Sequence, residues 1–125
     1  MIIREYRPSD LEELKAIHNK YFKQEFELPN FLQNYLCAVT LEDEKGIVTI
    51  GGIRTLAEVV AVTNKDRSVR SRRAALIEMW QALNYIAAAH NYKELHAFIQ
   101  DEAWLKQLLN AGFRKTKGLA LVSET

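Results

Sequence analysis

The sequence predicts an α+β fold with a mixed, mostly antiparallel sheet flanked by helices. Three observations predict it. Apolar residues recur at helical spacing in residues 11–22 and again in residues 76–87. Between these stretches, two β-branched runs flank the charged segment Glu42-Asp43-Glu44-Lys45-Gly46, which reads as a hairpin turn. Short apolar runs at residues 57–63, 94–100 and 119–122 then alternate with helical patterns.

Each element has its own signal. Ile2-Ile3-Arg4-Glu5-Tyr6 alternates loosely and reads as a strand ended by Pro8. Ser9 and Glu12 match a capping box, so a first helix is expected over residues 9–21, with Leu11, Leu14, Ile17, Tyr21 and Phe22 on its apolar face. Leu28-Pro29-Asn30 breaks that pattern, and residues 31–35 read as a second short helix. Residues 37–41 and 47–54 are the hairpin strands, and Gly51-Gly52 implies a bulge or a close backbone approach. Residues 57–63 are apolar almost throughout, as in a strand buried on both faces. A long helix without Gly or Pro follows over residues 71–90. Residues 94–100 are another strand, and residues 102–110 a short helix closed by Gly112, with Phe113 packing back. Residues 119–122 are the last strand, and the whole reads as one domain, 1–125.

Composition narrows the function classes. The chain has 125 residues, 48% hydrophobic and 26% charged, with a formal net charge of +1. That length suits one compact domain with a core. Cys37 is the only cysteine, which excludes a disulfide framework and a cysteine-based metal box. His18, His90 and His96 lack paired metal-ligand spacing, so no metal is expected. No apolar run reaches the roughly 20 residues of a membrane span. The expectation is a soluble, cytoplasmic protein without membrane contact.

Against that near-neutral background, Arg67, Arg70, Arg72 and Arg73 cluster at the start of the long helix. Positive charge there opposes the helix dipole, while the unpaired N–H groups of a helix start suit an anion such as phosphate. The cluster is therefore a local anion site or a tolerated electrostatic cost. A nucleic-acid surface trails, because no aromatics interleave the arginines and no recognition motif accompanies them.

The order of elements resembles the GNAT superfamily of N-acetyltransferases. The resemblance covers nearly the whole chain and rests on element order more than on letters. Its clearest points are Val59 to Val62 running into Arg67 to Leu76, and Trp104 to Leu109 running into Ala111-Gly112-Phe113. It implies an acetyl-CoA-dependent transfer of an acetyl group to a primary amine by direct attack. The implied cofactor-binding residues are Val60, Ala61 and Val62 on the central strand, and Arg67, Ser68, Val69, Arg70, Ser71, Arg72, Arg73 and Ala74 in the pyrophosphate loop. Depending on alignment, Ser71 and Arg73, or Arg72 alone, stand where the family prefers glycine. Leu108 stands where many members carry a tyrosine general acid, and Asp101 where an Asn commonly begins the short helix. Glu58 is the implied general base.

Two further functions stay open beside the transferase. One is a catalytically silent binding or structural protein of the same fold, a class found among small phage-encoded proteins. The other is nucleic-acid binding through residues 67–73. The partners expected are acetyl-CoA and a small amine or protein amine acceptor, with homodimerisation left open. Cys37 reads as a buried structural thiol, and His96 as a packing or surface residue with a substrate-contacting base as its alternative. Trp80 and Trp104 read as core. Residues 42–44 read as a solvated hairpin tip. Phe22, Phe26, Phe31 and Tyr35 either line an acceptor pocket or pack ordinary helices.

Overall fold

Alternating apolar residues draw the start of the chain into a three-stranded antiparallel sheet ordered β1-β2-β3: β1 (Ile2–Glu5), β2 (Tyr35–Asp43) and β3 (Gly46–Arg54). A computed structural model describes all 125 residues as two compact units, Met1–Ala57 and Glu58–Thr125, taken in turn. The α+β class stands. No helix is long and apolar enough to cross a membrane.

In the first unit the expected hairpin forms, from Tyr35↔Arg54 to Asp43↔Gly46. Its turn closes with Gly46 at φ 125° and the Asp43 carboxylate accepting from the Lys45 N–H at 2.9 Å. Bulges exist, but not at the two glycines. Leu36 is the extra residue on β2 beside Arg54 and Ile53, and Val48 the extra residue on β3 beside Leu41 and Glu42. Gly52 instead marks a close approach: a Cβ there would lie 2.6 Å from the Cys37 carbonyl oxygen, whereas Gly51 faces open space.

Pairing Arg4 with Thr40 puts Arg4, Thr40 and Glu42 on one face of the sheet. Arg4 donates to both Asp10 oxygens at 2.9 and 2.8 Å and to Glu42 at 3.0 and 3.3 Å. Asp10 also accepts from the Thr40 hydroxyl at 3.1 Å and the Arg7 N–H at 2.9 Å. Asp10 is 5% exposed and Thr40 fully buried. The Arg4 guanidinium, opposed by burial and aided by Arg7 and Thr40, holds the Asp10 carboxyl far below the usual carboxylate range. Asp10, and after it Glu42, pushes the Arg4 guanidinium above its own ordinary value. Glu42 therefore belongs to an ion pair rather than to a solvated hairpin tip.

This arrangement moves the helix start. Pro8 enters a 3-10 turn, Pro8–Asp10, that leads into α1 (Leu11–Tyr21). Proline suits a first helical position because its missing N–H would lack a partner there anyway. Asp10, reaching back to the Arg7 N–H, makes the bond expected of Glu12, while Glu12 lies 3.6 Å from Lys15 instead and Ser9 is not the cap. Within α1, the buried His18 holds the carbonyl of Phe26, beyond the helix, at 2.6 Å; a carbonyl only accepts, so Nε2 carries the proton. Phe26 stacks on Phe22 at 5.2 Å, and Phe31 bridges Tyr6 and Tyr35 at 5.3 and 5.0 Å, so these rings pack against one another. The expected helix over residues 31–35 is absent: Asn34 turns to φ 58°, and its carbonyl accepts from both the N–H and the hydroxyl of Thr55. Cys37 is exposed, not buried, because it sits beside the Leu36 bulge on β2.

The second unit is built on α2 (Val69–Ala89) and α3 (Glu102–Asn110). Ser68 caps α2 by accepting from the Ser71 N–H at 3.1 Å, and Asp101 caps α3 by accepting from Ala103 at 2.9 Å. Both helices end in the same motif. Asn91 (φ 66°) and Gly112 (φ 106°) turn left-handed, so that Tyr92 donates to Ala87 and Phe113 to Leu108. The second turn sends Phe113 onto Trp80 of α2, with ring centroids 4.2 Å apart.

Three expected strands do not form as such. Residues 57–63 and 94–100 share a single parallel bridge, Glu58↔His96, and residues 119–122 pair with nothing in a ladder. Val60 and Val62 are 74% and 98% exposed, so their run is not buried on both faces. Apolar composition marks a tendency to extend, but a strand exists only where a neighbour completes its hydrogen bonds.

Gly52→Ala should destabilise by about 1–3 kcal/mol, since backbone must shift, while Gly51→Ala should be neutral or slightly stabilising; urea midpoints check the contrast. Asp10→Asn should cost about 2 kcal/mol at neutral pH by weakening charge-assisted bonds. Because the folded carboxyl titrates lower than the unfolded one, this advantage is full above about pH 4 and shrinks as pH falls below it. Denaturation of both proteins at neutral and acidic pH would test this, and a gap that stays constant would refute it.

Candidate functional site

The parallel bridge organises the site. The Val59 N–H donates to the His96 carbonyl at 2.8 Å, and regular pairing stops there. Beyond that point a cleft of about 330 Å³ lies between Glu58–Ala61 on one side and residues 97–101 on the other. Leu76, Met79 and Trp80 from α2, with Trp104 and Leu108 from α3, complete its apolar wall.

Of the sequence-derived site residues, Glu58, Val60 and Ala61 border this cleft, whereas Val62 lies outside it. Residues 67–74 line neither the cleft nor the larger cavity described below. Arg67 ends a turn, its N–H bonded to the Asn64 carbonyl, and Ser68 is the helix cap. Val69, Arg70, Ser71, Arg72, Arg73 and Ala74 are already helical, so the helix starts earlier than the loop reading has it. The Ser71 and Arg72 N–H groups bond to Ser68, which leaves those of Val69 and Arg70 without an acceptor inside the helix.

The arginines differ among themselves. Arg67, Arg70 and Arg73 are exposed, while Arg72 is half-buried and its Nε is buried without a hydrogen-bond partner. A guanidinium keeps its charge in a protein, so that N–H is an unmet donor. No acidic side chain occupies the first turn of α2. Leu108, where the resemblance implies a phenol, is buried and walls the cleft with methyl groups. Asp101 borders the cleft, but its carboxylate is committed to capping α3.

A second, larger cavity of about 570 Å³ escaped the sequence reading. It shares Trp80, Ala97, Phe98, Ile99 and Leu108 with the first, so residues 97–99 are their common wall. His96 lines it, with Nε2 3.9 Å from Glu94 and Nδ1 buried without a partner. Arg114 approaches the same Glu94 oxygen at 3.6 Å. Glu94 and His96 are two residues apart, a spacing that puts both on one side of an extended segment. Lys93, Arg114 and Lys115 also line this cavity, and the turn at Gly112 brings the last two to it.

Compared with known proteins, the chain matches no family model, no curated protein and no solved structure.

Proposed function

We propose that this protein binds acetyl-CoA and passes its acetyl group to a primary amine, in the manner of the GNAT enzymes it resembles. The observation that carries the reading is the parallel bridge that opens into a cleft between residues 58–61 and 97–101. A bound extended arm would find backbone groups there that no neighbouring strand has claimed. The donor set suits the rest of the ligand. Arg70, Arg72 and Arg73 begin α2, where phosphates would meet guanidinium groups and the outward N–H groups of Val69 and Arg70. Among these arginines Arg72 is the half-buried one and carries an unmet Nε donor, a cost of roughly 1–3 kcal/mol in the free protein.

Acetyl-CoA would supply an acyl group already activated as a thioester. The chain's own part is to orient it and to manage one proton. The amine nitrogen forms a bond to the acetyl carbon, the carbon–sulfur bond breaks, and the amine's surplus proton ends on the departing sulfur. Glu58, at the mouth of the cleft, is the carboxylate to take that proton first. Leu108 offers none in return, so the thiolate leaves without a phenol.

That same leucine favours a second reading, a protein that holds CoA without turning it over. Thermal shift with CoA and acetyl-CoA tests the shared premise, and thiol release across an amine panel separates the two. Both ligands should stabilise the protein, and Arg72→Ala should weaken binding about 10–100-fold, the loss of one charge-assisted contact. Glu58→Gln should lower turnover by about 100-fold or more while leaving CoA binding intact. No response to either ligand at millimolar concentration would overturn the proposal.

A further inference from the structure

We infer that the larger cavity is a binding site for a small amphipathic carboxylate. Its volume of about 570 Å³ suits a small ligand, and its floor is the Trp80–Phe113 pair with Leu105 and Leu109. Its rim is cationic out of proportion to the chain. The whole protein carries 17 basic and 16 acidic residues, yet this rim has Lys93, Arg114 and Lys115 against Glu94 alone. Glu94 already faces Arg114 at 3.6 Å and His96 at 3.9 Å. The surplus therefore falls to Lys93 and Lys115, which face solvent beside an apolar floor. An apolar body on the aromatic pair with a carboxylate at the lysines satisfies both halves; a cationic amine without a carboxylate meets like charge. Where the transferase reading holds, on which this extension alone rests, the acceptor is an apolar amino acid. Its carboxylate sits on the lysines, on the same side as residues 97–99, which line both cavities.

Trp80 lines the cavity, and the only other tryptophan is Trp104, so Trp104→Phe leaves Trp80 as a sole fluorescent reporter. The full chain is titrated without acetyl-CoA against 3-phenylpropanoate, L-phenylalanine and 2-phenylethylamine. Ligand-detected NMR on the unsubstituted protein repeats the series independently of the reporter. The two carboxylates should bind and the bare amine should not, with affinity falling as salt is raised. Lys93→Ala and Lys115→Ala should each weaken 3-phenylpropanoate by about tenfold. Equal binding of 2-phenylethylamine, indifference to both lysine substitutions, or no binding of any probe at about 10 mM would overturn the inference. Carboxylate binding without any response to CoA would sink the transferase reading and leave this site standing. Acetylation of 2-phenylethylamine in preference to L-phenylalanine would overturn the assigned acceptor class.

Discussion

Backbone N–H and C=O groups on an extended chain point sideways and need a neighbour or water, and this requirement shapes both halves of the protein. In Met1–Ala57 three strands satisfy one another, and the hairpin keeps its register through two bulges. In Glu58–Thr125 the same requirement is met at one bridge and then released. The release creates the candidate site, because the groups that stop pairing with each other border a cleft.

The first unit is pinned by a single carboxylate. Asp10 accepts from a strand guanidinium, a buried strand hydroxyl and the backbone at the start of its own turn. It thereby ties β1 and β2 to the entry of α1. Such a group is satisfied only as an anion, which is why Arg4 drives its titration so far down. Satisfaction of this kind contributes specificity as well as energy. Removing one partner leaves the others desolvated, and an uncompensated polar atom costs more than a made bond returns.

Apart from the helix expected over residues 31–35, the helices and the hairpin were legible in the sequence because their signals are local. Residues 102–110 match the predicted helix residue for residue, since Asp101 and Gly112 mark its ends. The hairpin was legible from its charged turn and flanking β-branched runs. What misled was apolar composition without a visible partner. Residues 57–63 look like a central strand by content, yet pairing depends on residues about 40 positions away, which no local pattern encodes. The helix start at Pro8 was misassigned for a related reason. Ser9 and Glu12 form a correct local motif, but the non-local pull of Arg4 and Thr40 made Asp10 the better terminus. One side of the candidate cleft was visible in advance, through Glu58, Val60 and Ala61. The larger cavity was not, because Arg114 and Lys115 reach Lys93 and Glu94 only through the Gly112 turn.

The arginines at the start of α2 remain costly in the free protein. Each cation in a first turn opposes the dipole by about 0.3–1 kcal/mol, and no first-turn carboxylate offsets it. Ser68 caps the Ser71 N–H without drawing on charge, so capping does not explain the arginines. Burial adds a second cost at Arg72, whose Nε is withdrawn from water with nothing to receive its proton. Two independent penalties thus fall at one helix start, and a bound anion would offset the first by neutralising charge there. Under the proposed function that anion is the phosphate portion of CoA, and the free energy released on neutralising the cluster adds to affinity rather than to folding. The placement also separates two tasks. Residues 67–74 do not line the cleft, so the charge that would grip the ligand and the apolar wall that would receive its reactive end belong to different turns of α2. Substitution at the arginines then acts on binding, whereas substitution at Leu108 or Glu58 acts where the chemistry would occur.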